Sequence, residues 1–165
     1  MISLKGFEDE NFCNYKKPVM FLGFSKCSFK CGIAACQNSK LATAPIKQYS
    51  CETLYQRYVQ NSITKGIVCG GLEPFDTFDE LFELIDYFRN KKNNQDTIII
   101  YTGYYEPEIK LFIQKLKSFN NIIIKFGRYI PNLPNCKDNL LGVTLASNNQ
   151  YSKRIEDINY ESRNN

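Results

Sequence analysis

The sequence of 165 residues contains no histidine. Without that residue no Ser-His-Asp or Cys-His catalytic site can form, and zinc sites with histidine ligands are excluded. General acid or base work near neutral pH would then depend on carboxylates, lysines or cysteines with shifted pKa values. Seven cysteines accompany this absence. Together the two features favour chemistry that is carried by a cofactor.

The chain also lacks any long hydrophobic segment. No apolar run approaches the length of about 20 residues that a membrane span needs, and residues 1–8 show no signal-peptide hydrophobic region. We therefore expect a soluble, cytoplasmic protein with no membrane partner. Cysteines in that compartment are better explained as thiols and ligands than as disulfides. The net charge of +4 is modest and spread along the chain, so no nucleic-acid partner is expected.

Three of the cysteines, Cys27, Cys31 and Cys36, lie within ten residues, directly after the apolar run of residues 19–24. Thiolates this close together repel one another unless a metal neutralises them, and sulfur ligands select zinc, copper(I) or iron–sulfur clusters. Four cysteines would complete a zinc site or a cubane cluster, whereas three leave one metal position open. We therefore predict a metal centre on residues 27–38, which form the cysteine loop. Ordinary reduced thiols are the alternative interpretation.

Apolar runs alternate with amphipathic segments along the rest of the chain. The predicted strands are residues 19–24, 67–69, 97–101, 122–126 and 141–145, and one helix is predicted in each interval between the first four strands. The segment before Pro18 is predicted to be irregular, and residues 151–165 a polar tail. This order predicts an α/β fold with about five parallel strands and outer helices. We expect one domain over residues 1–165, with its core at about 18–150.

Each predicted strand is followed by an unusual stretch of sequence. The stretches are the cysteine loop and residues 70–74, 102–105, 127–129 and 146–150. Ligands of parallel sheets bind at the carboxyl ends of the strands, so these stretches predict one shared site. The adjacent Gly70 and Gly71 would let backbone approach a ligand closely. A simple strand-to-helix turn is the alternative for that pair.

These stretches resemble the radical S-adenosylmethionine (SAM) enzymes, and among them the activating subfamily of anaerobic (class III) ribonucleotide reductases. The resemblance extends from about residue 19 to residue 150 and rests on the order and spacing of five motifs. Three features differ from the family pattern. The cysteine spacing is C-x3-C-x4-C instead of C-x3-C-x2-C, Leu72 is inserted in the Gly-Gly turn, and Phe126 replaces an aspartate.

The resemblance implies an incomplete (βα) barrel and a radical SAM oxidoreductase activity. The three clustered cysteines would hold three irons of a 4Fe-4S cluster, and the fourth iron would bind SAM. Reductive cleavage of SAM would give a 5′-deoxyadenosyl radical, which abstracts hydrogen from a glycine of the target. Further residues that the resemblance assigns to cofactor binding are Gln37, Asn38, Gly70, Gly71, Glu73, Thr102, Arg128 and Asn148. A solvated surface arginine is the alternative for Arg128, and no catalytic side chain is expected beyond the cluster and SAM.

The implied partners are an anaerobic ribonucleoside-triphosphate reductase, which is a glycyl radical protein, and a low-potential electron donor such as flavodoxin. A sheet of about five strands leaves one side open, and a docked protein would shield the radical from water. Three alternatives stay open. They are a radical SAM enzyme for another protein or a nucleoside, a zinc-loaded interaction module without activity, and a cluster-binding relative that has lost catalysis.

Overall fold

The computed structural model describes residues 1–159, which contain nine strands and four α-helices. The strands are β1 (Ile2–Asn11), β2 (Val19–Phe24), β3 (Lys47–Tyr49), β4 (Gly66–Gly71), β5 (Thr97–Tyr101), β6 (Ile122–Phe126), β7 (Cys136–Asp138), β8 (Val143–Leu145) and β9 (Tyr151–Arg154). The helices are α1 (Ser39–Thr43), α2 (Cys51–Gln60), α3 (Phe78–Asp86) and α4 (Lys110–Leu116). None of these described helices has the length and apolar composition needed to cross a bilayer.

Seven of the strands form one sheet in the order β3-β1-β2-β4-β5-β6-β9. Its four central strands, β2, β4, β5 and β6, run parallel, and β1, β3 and β9 add to it antiparallel. The central strands are the apolar runs of the sequence, because strands covered on both faces need apolar side chains in both directions. The predicted α/β class is confirmed. The predicted number of about five parallel strands differs from the four observed.

The sequence predicted an irregular segment before Pro18, and that prediction is wrong. Most of this segment is β1, which pairs antiparallel with β2 and places Leu4 opposite Phe24. Ile2 and Leu4 are fully buried, whereas the residues between and after them are partly exposed. This alternation is the pattern of a strand with one covered face. The strand was not recognised from the sequence because most of its residues are polar.

The C-terminal part of the prediction also needs correction. Val143–Leu145 does not join the large sheet as a fifth parallel strand, because it pairs with β7 in a separate two-stranded sheet. Residues 151–159 of the predicted polar tail belong to the fold. Here β9 pairs with β6, and Ile155 and Ile158 are buried. Residues 160–165 of that predicted tail lie outside the described residues.

The two faces of the sheet have different coverings. Side chains alternate along a strand, so Ile98 and Ile100 of β5 face α2, α3 and α4, together with Ile122 and Ile124 of β6. Ile99 and Ile123 point the other way and pack with Leu141 and Leu145 beside the two-stranded sheet. This second face carries the candidate site at the carboxyl ends of the strands.

Candidate functional site

A cavity of about 890 Å³ lies where the central strands end. Its volume is typical of small-molecule sites, which measure about 300–1,000 Å³. Most of the predicted site residues line it, namely Cys27, Cys31, Cys36, Gln37, Asn38, Gly71, Glu73, Thr102 and Arg128. The structure therefore brings the separate sequence motifs to one place. Gly70 and Asn148 are the predicted residues that do not line the cavity.

The three clustered cysteines are partly buried free thiols on the loop between β2 and α1. Burial raises the pKa of Cys27 to about 11, and the neighbouring carboxylates of Glu73 and Asp76 act in the same direction. Among residues 1–159, no three cysteine or carboxylate side chains are already arranged around one ion position. The donors nevertheless fit an iron–sulfur cluster, since they are three thiols facing one cavity. Metal binding would remove their protons and draw the loop together.

Gly71 allows two strand ends to approach closely. Its φ of +83° lies in the left-handed region, and a Cβ there would come within 2.6 Å of the Gly23 Cα. Its carbonyl oxygen accepts a hydrogen bond of 2.6 Å from the Asn38 side-chain amide. Only glycine fits this position without strain. The Gly-Gly turn thus anchors the end of the cysteine loop.

We expect Gly71→Ala to lower the free energy of unfolding by more than about 2 kcal/mol, because left-handed strain adds to a backbone collision. Gly32→Ala is the matched control. Gly32 has a φ of +84°, but nothing lies within 4 Å of the place that a Cβ would occupy. Gly32→Ala should lower the free energy of unfolding by about 1–2 kcal/mol, from backbone strain alone. Urea unfolding of both variants measures the difference, and equal losses would contradict the close approach.

Glu73 joins the ends of β4 and β5 beside the cavity. Its side chain is 4% exposed and accepts hydrogen bonds from the Thr102 hydroxyl and the Gly103 N–H, both at 2.8 Å. The Phe75 N–H donates to the same carboxylate at 3.2 Å. Burial raises the pKa of Glu73 to about 7, although these hydrogen bonds oppose the shift. Thr102 therefore acts first as a support for Glu73.

Lys125 lines the cavity but belongs to none of the sequence motifs that predicted the site. It is 7% exposed, and its Nζ donates to the Gly127 carbonyl oxygen at 3.1 Å. Burial lowers the pKa of Lys125 to about 8, although the negative charge of Glu73 acts in the opposite direction. An ammonium group has three donors, so donors are left for a ligand. A charged residue inside the apolar run Ile122–Phe126 was the available signal, and alternation places it on the face of Ile123.

Arg128 borders the cavity but is held by neighbouring side chains. Its guanidinium donates to Glu108 at 2.5 Å and lies 5.0 Å from the centre of the Tyr105 ring. Burial lowers the pKa of Arg128, whereas the hydrogen bond to Glu108 raises it, and the net effect is a raised pKa. A ligand carboxylate would have to compete with Glu108 for this cation. Lys125 is the better placed of the two cations.

The stretch of residues 146–150 contributes through a different residue from the one predicted. Asn148 is exposed and does not reach the cavity. Gln150 is buried, lines the cavity and donates to the Gly127 carbonyl oxygen at 3.1 Å. The Asn149 amide donates to the Arg128 carbonyl oxygen at 2.8 Å. This stretch therefore supports the segment that follows β6.

Comparison with known proteins agrees with the cysteine chemistry. A family model described as a 4Fe-4S single cluster domain matches residues 17–151. The matched range contains the cysteine loop and all four parallel strands. No curated protein matches the chain significantly. Because the family match covers most of the chain, this protein belongs to the 4Fe-4S single cluster domain family.

Proposed function

We propose that this protein is a radical SAM activating enzyme that places a glycyl radical on an anaerobic ribonucleotide reductase. The observation that carries the proposal is one cavity lined by a three-cysteine loop, a buried carboxylate and a buried ammonium group. Membership of a 4Fe-4S family and the order of the sequence motifs support it. In this proposal the seven-stranded sheet is an incomplete barrel, and its cavity face is the inner side.

The cysteine loop has the ligand number that this chemistry needs. When bound through Cys27, Cys31 and Cys36, the cluster would supply the electron that cleaves SAM into methionine and a 5′-deoxyadenosyl radical. Three thiolates leave one iron free of protein ligands. The Asn38 amide keeps the far end of the loop against Gly71, so that the loop closes over the strand ends. A low-potential donor such as flavodoxin is the proposed electron source.

The two buried charges fit the amino acid part of SAM. The methionyl group of SAM carries an ammonium and a carboxylate, and Glu73 and Lys125 present one charge of each sign to the cavity. Burial disfavours the charged form of both side chains, as their shifted pKa values indicate. A zwitterionic ligand would stabilise both charged forms by pairing with them. The Gly70–Gly71 backbone is the proposed second contact for the ammonium group.

Binding of SAM to the cluster-loaded protein tests this assignment. We expect Lys125→Met to weaken SAM binding at least about tenfold, because a hydrogen bond to a charged group contributes about 1.5–3 kcal/mol. Arg128→Gln should have a smaller effect, since Arg128 already pairs with Glu108. Equilibrium dialysis with labelled SAM measures both dissociation constants. A larger loss for Arg128→Gln would reverse the assignment of the carboxylate contact.

Exposed apolar side chains beside the cavity support a protein as the target. Phe12 is 63% exposed and Ile33 is 74% exposed. Phe12 directly precedes Cys13, and Ile33 follows Cys31 by two residues. Both cysteines line the cavity. Apolar groups with a polar surround are typical of protein interaction sites. The proposed target is therefore a protein loop that covers the cavity and presents a glycine to the radical.

A further inference from the structure

The first cysteine of the loop is held on both sides by the segment that follows the Gly-Gly turn. The Glu73 N–H donates to the Lys26 carbonyl oxygen at 2.8 Å. On the other side, the Ser28 N–H donates to the Asp76 carboxylate at 2.5 Å. Cys27 lies between these two bonds. Its backbone therefore has a defined place before any metal binds.

A second side chain completes this arrangement. The Tyr104 hydroxyl donates to the other oxygen of the Asp76 carboxylate at 2.5 Å and lies 3.2 Å from the Ser28 hydroxyl. Tyr104 follows β5, and its N–H donates to the Thr102 hydroxyl at 3.0 Å. That hydroxyl donates in turn to Glu73. Asp76 thus connects the cysteine loop to the ends of two central strands.

The other two cysteines are held differently. The backbone bonds beside Cys31 and at Cys36 stay inside the loop, from Gly32 N to Phe29 O and from Cys36 N to Ile33 O. Gly32 has a positive φ and open space around it. Among residues 1–159 no ready-made metal site is present, which agrees with a loop that is anchored beside Cys27 and at Asn38 while its backbone bonds at Gly32 and Cys36 are local. Cys27 is the point from which the rest of the loop can fold around a metal.

We propose that Asp76 is a positioning residue that fixes Cys27 and keeps a negative charge beside the cluster. The inference rests on Cys27 as a cluster ligand, and it does not depend on SAM chemistry. Groups that hydrogen-bond around the ligands orient them and tune the metal. A nearby carboxylate opposes the addition of an electron, so it makes the reduction potential of a cluster more negative. Asp76 is half-buried, where such a charge is screened less than at the surface.

The test compares Asp76→Asn and Tyr104→Phe with Asp79→Asn, which removes an exposed carboxylate on α3. The reduction potential of the reconstituted cluster is measured by dye-mediated titration with electron paramagnetic resonance detection. Asp76→Asn should move the potential to a more positive value and alter the resonance of the reduced cluster. Tyr104→Phe keeps the charge and should move the potential less. Asp79→Asn should match the wild type.

Hydrogen exchange of the cluster-free chain gives an independent measure. Peptides that contain Ser28 should exchange at least several-fold faster in Asp76→Asn and in Tyr104→Phe than in the wild type. If Asp76→Asn folds poorly, Tyr104→Phe still tests the arrangement. An unchanged potential and unchanged exchange would overturn the inference, as would iron binding that survives loss of the Cys27 thiol. These readouts need no SAM, so failure of the proposed activity would be seen separately.

Discussion

Anaerobic reconstitution of Cys27→Ala, Cys31→Ala or Cys36→Ala is expected to yield protein with little bound iron or sulfide. In the proposed centre each thiolate binds one iron, and a cluster with only two protein ligands would be poorly held. The structure supports the grouping because all three thiols line the same cavity. Iron and sulfide analysis, together with the visible absorption of the cluster, measures the loss. We expect all three variants to lose most of the iron that the wild type retains.

The other four cysteines provide the controls. Cys51→Ala and Cys136→Ala should keep the cluster, because neither thiol lines the cavity. Cys69 is fully buried in β4, so Cys69→Ser should lower the free energy of unfolding by about 1–3 kcal/mol and still bind iron. Cys13 is the decisive control, since it lines the cavity but lies outside the family match. Loss of iron in Cys13→Ala would indicate that Cys13 is a fourth ligand. It would contradict the proposal that one iron has no protein ligand.

The second large effect is expected on the proposed partner. The cluster-loaded protein, SAM, a reductant and the reductase from the same organism should together produce a glycine-centred radical. Electron paramagnetic resonance detects that radical as a doublet. Replacement of the target glycine by alanine should remove the signal and leave complex formation largely intact, because only the abstracted hydrogen is lost. A reductase that binds but never gains the radical would overturn the activase assignment.

Surface variants connect that radical to the exposed apolar side chains. Ile33→Ser should weaken the complex with the reductase and lower the radical yield, while SAM cleavage by the isolated protein stays unchanged. Leu111→Ser is the matched control, because Leu111 on α4 is 72% exposed and does not line the cavity. Gel filtration or surface plasmon resonance measures binding. Equal effects of the two substitutions would show that Ile33 has no special place in docking.

The sequence predicted the parts of the fold that depend on continuous apolar runs. The strands β2, β4, β5 and β6 were recognised because buried parallel strands are apolar on both faces. The strand β1 was missed because its exposed face is polar and only alternate residues such as Ile2 and Leu4 are buried. Val143–Leu145 was placed in the wrong sheet, since a short apolar run does not reveal its pairing partner.

The candidate site was predicted by position more reliably than by contact. Most of the named residues lie on one cavity because strand ends of a parallel sheet gather there. Individual contacts depend on side-chain neighbours that are distant in sequence. Arg128 pairs with Glu108, Asn148 faces solvent, and Lys125 reaches the cavity from within a strand. No local pattern distinguishes these outcomes, except the single charge in the run of β6.

Formation of 5′-deoxyadenosine from SAM is the reaction that distinguishes the proposed radical SAM chemistry from cluster binding alone. Reconstituted protein is incubated anaerobically with SAM and dithionite, and the products are measured by liquid chromatography with mass spectrometry. We predict 5′-deoxyadenosine and methionine in equal amounts, with no product when the reductant is omitted or when Cys27→Ala replaces the wild type. Intact SAM beside a protein that holds a reducible cluster, even after the reductase is added, would rule out the proposed radical SAM activity.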